Sequence, residues 1–305
     1  MTTASAFIFP GQGSQRAGML ETVPELDSFE RLLDAAEALS GLDLRHLALH
    51  GSAEELADTR AAQPLLYLAD WAWGVTLLES GISPIAVAGH SLGELAALAV
   101  AGVFSPEAGL ELVVERSRLM AANAAATPGT MAAVLGLDRT AITAAIAGIE
   151  GVWVANDNSP GQVVVSGTHA GVEAAQAALL EAGARRVVPL AVSGAFHSPL
   201  MQSAADAFAE LLAGTEFSDA RIPVIQNTDP VPETKGSAIR ERLAGQITAP
   251  VRWTETMQQL SSAAPVVLIE AGPGSVLTGL ARRIDGVTGM AVETTGLEVL
   301  VAEVS

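Results

Sequence analysis

The stretch Pro84-Ile85-Ala86-Val87-Ala88-Gly89-His90-Ser91-Leu92-Gly93-Glu94 decides the fold. Its first five residues are small and apolar and read as a short buried strand. Leu95 to Val100 follows as an Ala/Leu-rich helical start. Between them lies the G-x-S-x-G spacing of a nucleophile elbow, in which a serine on a sharp strand-to-helix turn projects its Oγ outward. Glycines on both sides let neighbouring backbone approach without a Cβ clash. The N–H of Leu92 points towards a developing oxyanion, and the helix N-terminus adds positive partial charge. A Gly-rich turn with an incidental serine has the same spacing, and the motif alone does not separate the two.

Half of the 305 residues are apolar. That supports a large core, built as one large domain with an insertion or as two domains. Two uncharged spans, residues 119–137 and 187–205, are interrupted by prolines and polar residues and do not read as membrane helices. The first five residues lack the basic region of a secretory signal, so the cytoplasm is expected. The absence of cysteine excludes disulfides, thiol catalysis and cysteine metal sites. A net charge of -18 argues against nucleic acid or an anionic membrane as partner. An acidic partner would need a local basic patch. Arg185-Arg186, Arg282-Arg283 and Arg252 either supply one or are ordinary surface arginines.

Outward from the elbow, the chain reads as alternating strands and helices. Ala6 to Phe9 is a strand, broken by Pro10-Gly11-Gln12-Gly13-Ser14-Gln15. A loop after a first strand lies at the carboxyl edge of a parallel sheet, where α/β sites form. It lacks a phosphate-loop lysine and a full G-x-G-x-x-G, so nucleotide binding is weakly supported. Residues 22–50 read as mostly helical and 51–59 as a polar surface connection. Gln63-Pro64 opens an apolar helix over 65–78, with Trp71 and Trp73 as packing residues. Ser105-Pro106-Glu107 starts a helix to about Ala121. Arg116 and Met120, four apart, share one face of it. From spacing alone Arg116 reads as a solvated arginine beside Glu115.

Strands at 130–135, 152–155, 162–167 and 185–192, helices at 140–149 and 172–182, and a turn over 156–161 give the order β-α-β-β-α-β. This predicts a ferredoxin-like subdomain over residues 123–191. Residues 1–122 and 192–305 then form an α/β-hydrolase-like, parallel-sheet large domain. It finishes with a strand at 222–227, helices at 238–246 and 250–264, a strand at 266–270 and a helix at 277–284. The tail from residue 285 is left unassigned. His46, His50 and His169 lie in polar helical or turn contexts. His90 adjoins the serine, but neighbouring side chains on an elbow point apart. His197 follows a strand and precedes the helix start Ser198-Pro199. It is the candidate base, with a buried or capping histidine as the alternative.

Eight segments, in order, resemble the malonyl-CoA:acyl-carrier-protein transacylase family, including the freestanding acyltransferases of polyketide synthesis. They are FPGQGSQ (9–15), TRAAQP (59–64), GHSLGE (89–94), ERSRLM (115–120), NDNSPGQVVVSG (156–167), GAFHSPLM (194–201), QITAPVRW (246–253) and EAGPGSVLTGL (270–280). The resemblance covers residues 7–284. It implies transfer of a malonyl group from malonyl-CoA to the phosphopantetheine thiol of an acyl carrier protein, by ping-pong through an acyl-serine. It implies no bound cofactor or metal, and a monomer. Fatty-acid and polyketide biosynthesis both fit.

At matching positions Ser91 would be the nucleophile and His197 the base, with the backbone N–H groups of Gln12 and Leu92 as the oxyanion hole. Arg116 would clamp the malonyl carboxylate in a bidentate pair, which reverses its reading as a solvated arginine. Gln63 and Met120 would support that pocket, Asn156 would line the pantetheine entrance, and Gln246 would orient His197 through a backbone carbonyl. No third-member carboxylate is evident, in keeping with the family's use of carbonyl oxygens. Phe196, directly before the histidine, goes with malonyl and disfavours α-branched units. Asp157 departs from the family's common Asn-x-Asn-Ser-Pro pattern at the thioester entrance. His90 counts against a malonate-decarboxylase transacylase subunit. The competing readings are a freestanding acyltransferase loading a non-malonyl unit between carriers, and a serine hydrolase or esterase, which has no use for an arginine clamp.

Overall fold

The computed structural model describes residues 4–304. The first strand, β1 (Ser5–Phe9), is buried throughout. Helix α1 (Asp27–Ser40) buries Phe29, Leu32, Leu33 and Ala36 along one stripe and stops at Gly41, φ 69°. After α2 (Leu44–His50), the segment expected as a plain connection contains a short helix, α3 (Ala53–Ala57). A reciprocal capping box between Ser52 and Glu55 starts it. Helix α4 (Thr59–Glu79) begins before the expected Gln63-Pro64, because Asp58 accepts from the Arg60 N–H. Pro64 therefore sits inside the helix, where its ring nitrogen forgoes one bond near the N-terminus. Trp71 and Trp73 are buried, as their reading as packing residues requires.

Strand β2 (Val87–Gly89) leads through the turn at residues 90–92 into α5 (Gly93–Val100). Helix α6 (Pro106–Ala126) starts as expected, Ser105 accepting from the Ala108 N–H. It runs five residues beyond Ala121, through alanines that propagate a helix well. The next unit comprises β3 (Thr130–Leu135), α7 (Arg139–Ala145), β4 (Val152–Ser159), β5 (Gln162–Gly167), α8 (His169–Glu181) and β6 (Arg186–Pro189). Its sheet is antiparallel in the order β4-β5-β3-β6. Ala132, Val134, Ile142, Val163, Val165 and Leu179 form a core of its own. The turn expected over 156–161 shrinks to Pro160-Gly161. Asn156 to Ser159 continue β4 with two register shifts against β5, so polar composition misled there.

A 3-10 turn (Pro199–Met201) enters α9 (Gln202–Gly214). Strand β7 (Val224–Ile225) has two residues where six were expected. The flanking Gln226 and Asn227 turn their amides to side-chain bonds instead. Helices α10 (Gly236–Ala244) and α11 (Trp253–Leu260), strand β8 (Val266–Glu270) and helix α12 (Val276–Ala281) follow. The unassigned tail supplies β9 (Val287–Ala291), α13 (Val292–Thr295) and α14 (Leu297–Val304).

The main sheet runs β7-β2-β1-β8-β9, every pair parallel. One apolar cluster, with Phe7, Phe9, Leu65 and Leu95, covers one face. A second, with Ile8, Trp253, Met257 and Leu277, covers the other. Such two-sided burial explains strands that are continuously apolar rather than alternating. The carboxyl ends of β1, β2 and β7 deliver the first loop, the elbow and Asn227 to one place. Among the described residues no helix is long and apolar enough to cross a membrane.

Candidate active site

Ser91 (φ 51°) and His197 (φ 56°) are the non-glycine residues with positive φ among those described. Such backbone persists only where surrounding structure over-determines it. The two side chains meet: Ser91 Oγ and His197 Nε2 are 2.8 Å apart. His197 Nδ1 faces the carbonyl oxygens of Gln246 (3.0 Å) and Ala249 (3.1 Å). Two acceptors there fix the Nδ1–H tautomer, which leaves Nε2 free to accept the hydrogen bond of the Ser91 hydroxyl. Burial, then the charge of Arg116, then His90, pull the His197 pKa down to about 3. The imidazole is therefore neutral across physiological pH, the form in which it could act as a base.

Beside Ser91 the first loop and the elbow interlock. The His90 N–H donates to the Phe9 carbonyl at 2.9 Å. A Cβ on Gly11 would collide with the His90 carbonyl oxygen, and one on Gly93 with that of Phe9. This close approach brings Gln12 and Leu92 to the same cavity wall. Neither backbone N–H donates to a protein acceptor among the described residues. The Gln12 side chain anchors the loop, accepting from Thr59 Oγ1 (2.6 Å) and donating to the Ala57 carbonyl (3.2 Å).

Arg116 is 1% exposed, which overturns its reading from spacing as a solvated residue. Glu115 pairs instead with Arg118. The Arg116 guanidinium donates to Gln63 Oε1 (2.7 Å), Gln246 Oε1 (2.9 Å) and Ser91 Oγ (3.2 Å), while its Nε has no partner. Burial lowers its pKa to about 10, opposed by the charge of Glu94, so it stays a cation. Gln63 Nε2 in turn meets Met120 Sδ at 3.5 Å.

These groups border a cavity of about 320 Å³, together with Asn156, Phe196, Met131 and Val164. Asp157, expected to bear on the entrance, turns away: its carboxylate accepts from Thr254 Oγ1 at 2.8 Å. Asn158 does face the cavity and meets His90 Nε2 at 2.8 Å. His90 also lines the cavity and sets its ring edge-on to Trp253, without bonding to Ser91 Oγ. Sequence reasoning missed Asn158, Ala249, Glu94 and Asn227. For Asn227 the available signal was an amide at the end of a strand beside the elbow. Of the candidate basic patch, Arg252 pairs with Glu255, while Arg185, Arg186, Arg282 and Arg283 are exposed and apart from the cavity lining.

A serine–histidine pair on a strand-to-helix turn at the carboxyl edge of a parallel sheet, beside a buried arginine, defines an α/β protein equipped for acyl chemistry. The chain belongs to the acyl transferase domain family, whose profile matches residues 6–295. It is similar to the malonyl CoA-acyl carrier protein transacylase of Synechocystis sp., 44% identical over 283 residues, 92% of this chain and 93% of that one. The solved malonyl CoA-acyl carrier protein transacylase of Coxiella burnetii superposes with TM-score 0.93 at 35% identity, covering 100% of this chain and 98% of that one. A malonyl-transacylase solved in complex with its type II PKS acyl-carrier protein gives TM-score 0.91 at 39% identity, covering 99% of each chain.

Proposed function

We propose that the chain moves a malonyl group from malonyl-CoA to the phosphopantetheine thiol of an acyl carrier protein, through an ester on Ser91. His197 Nε2 takes the Ser91 hydroxyl proton as Oγ attacks the thioester carbonyl. The backbone N–H groups of Gln12 and Leu92 receive the oxyanion. The bond to sulfur breaks, and His197 returns its proton to the leaving CoA thiolate. In the second half His197 deprotonates the carrier thiol, which attacks the acyl-serine, and Ser91 Oγ regains the proton. No resident cofactor or metal takes part.

The observation that carries this reading is the buried guanidinium of Arg116, 3.2 Å from Ser91 Oγ. A simple esterase has no use for it, whereas the free carboxylate of a malonyl group meets a preset fork of donors. Gln63 and Gln246 hold that fork, Met120 backs Gln63, and Asn156 lines the route of the pantetheine arm. Phe196 supplies bulk where an α-methyl would lie and favours malonyl over methylmalonyl. A specialised polyketide carrier is the second reading of the acceptor, favoured by the likeness to a malonyl-transacylase bound to a type II PKS carrier. The exposed Arg282 and Arg283 are the basic groups offered to an acidic carrier. The β3-to-β6 unit is read as a ferredoxin-like insertion over residues 123–191 in a hydrolase-like large domain, supported by its strand order. A cytoplasmic monomer is the working assembly.

Mass spectrometry of the Ser91 peptide after incubation with a panel of acyl-CoAs tests the proposal. A malonyl ester that disappears when holo carrier is added is expected. A preferred non-malonyl adduct, or release of free malonate alone in the presence of carrier, would refute it.

A further inference from the structure

We propose that Asn227 is the positioning residue of the nucleophile turn, its side-chain amide continuing the sheet where the backbone of β2 leaves it. Strand β7 pairs with β2 only through Val87–Val224 and Ala88–Ile225. Beyond that point the elbow stays tied to β1 but turns away from β7, and its backbone groups lose their ladder partners on that side. Asn227, two residues past β7, replaces them. Its Oδ1 accepts from the Ser91 N–H at 2.7 Å and its Nδ2 donates to the Gly89 carbonyl at 2.6 Å. One planar amide thus spans both sides of the turn, and Ser91 is the residue it holds at φ 51°.

Asn227 is itself fixed at every polar group. Its N–H donates to Glu94 Oε2 at 2.9 Å, and its carbonyl accepts from the Arg252 N–H at 3.1 Å. Glu94, 1% exposed, also accepts from Gln226 Nε2 at 3.0 Å. The Ser91 carbonyl accepts from Gln246 Nε2 at 3.0 Å. A strained left-handed serine needs such fixing. The hydroxyl must stay within reach of both His197 Nε2 and an incoming carbonyl, and a misplacement of about 1 Å costs roughly a hundredfold in rate.

The inference rests on Ser91 as nucleophile, so the test uses a probe without a malonyl group. A small fluorophosphonate takes the Ser91 oxygen onto phosphorus and releases fluoride, the hydroxyl proton passing to His197. Two quantities are read by intact-mass spectrometry: the fraction of chains labelled and the rate constant per labelled site. For N227A and N227D the fraction is expected to stay near that of the unaltered protein, while the rate falls roughly 10- to 100-fold. N227D keeps an acceptor for the Ser91 N–H but sets an oxygen against the Gly89 carbonyl. KM for malonyl-CoA, governed by Arg116, should move less than about threefold while kcat falls with the labelling rate. If N227A does not fold, N227S, which can keep one of the two bonds, carries the same measurement. A rate per site within about twofold of the unaltered protein, even with fewer chains labelled, would mean a purely structural role. An unaltered protein that takes no probe at Ser91 would defeat the nucleophile assignment and this inference together, whereas slow variants beside a fast parent bear on Asn227 alone.

Discussion

Arg116→Ala should separate malonyl transfer from acetyl transfer. The guanidinium is buried, carries one positive charge and spends three donations on Gln63, Gln246 and Ser91. A malonyl carboxylate would replace the longest of these, the 3.2 Å bond to Ser91 Oγ, with bonds between two full opposite charges. Hydrogen bonds to charged groups contribute about 1.5–3 kcal/mol. At tenfold per 1.36 kcal/mol, the loss in malonyl transfer is about 10- to 150-fold. An acetyl group has no carboxylate to place and should lose far less. Arg116→Lys keeps the charge without the fork and should fall between. The assay is single-turnover transfer of malonyl and acetyl groups from their CoA thioesters to holo carrier, with melting temperatures in parallel because Gln63 and Gln246 lose a partner. The same variant should raise the pKa of His197, whose second-largest depressing influence is the Arg116 charge. The acid limb of its rate profile would then move to higher pH. Equal losses for malonyl and acetyl transfer would refute the clamp and leave Arg116 a packing residue.

Other consequences are open to measurement. With His197 held at about 3, kcat/KM for acylation should stay flat from pH 8 down to about 5, and an inflection near the ordinary histidine value would contradict the buried neutral base. Because that folded-state pKa lies below the unfolded 6.5, its contribution to stability is complete above that value and is lost as pH falls towards 3. Urea midpoints should accordingly decline between about pH 6.5 and 4. Phe196→Ala should raise the ratio of methylmalonyl to malonyl transfer by about 5- to 150-fold, the 1–3 kcal/mol that one methyl is worth in an apolar pocket; an unchanged ratio places the discrimination elsewhere. Thr254→Val, which removes the bond to Asp157, should cost about 1 kcal/mol and lower the melting temperature by about 2–4 °C with transfer unchanged. A change in transfer would mean that Asp157 does reach the entrance.

Strands with apolar runs and clear punctuation were legible in the sequence. β3, β5 and β8 end where their composition changes. Elements governed by partners elsewhere in the chain were not. β4 continues through Asn156 and Asp157 because β5 and the backbone of Val251 pair with them, with Asn158 in the register shift before Ser159, against their turn-like composition. β7 is cut short for the opposite reason. The fifth strand, β9, carries Gly289 and Thr288 and gains its place only beside β8. Within the site, the serine and the candidate base were readable from local signals. Arg116 was not: its i,i+4 partner Met120 shares its face, but nothing in the helix reports that the face is turned inward. That came from the resemblance of eight ordered motifs. Asn227 lies in no motif, and Glu94 ends the elbow motif without a local sign of its role, since their part is to satisfy groups far off in the chain.

The reciprocal contact of Gly11 with the elbow and of Gly93 with the first loop has an evolutionary corollary. Every other amino acid carries a Cβ, so no substitution at either position avoids the collision. The two strands that present the candidate oxyanion donors are locked together at points from which single-step drift is closed. On the proposed function, diversification of acyl choice is expected at positions such as Phe196, Met120 and Met131, which line the cavity without joining that lock. A saturation library of the gene, selected for growth, should show both glycines joining Ser91 and His197 as columns of near-zero tolerance, beside a more permissive acyl pocket.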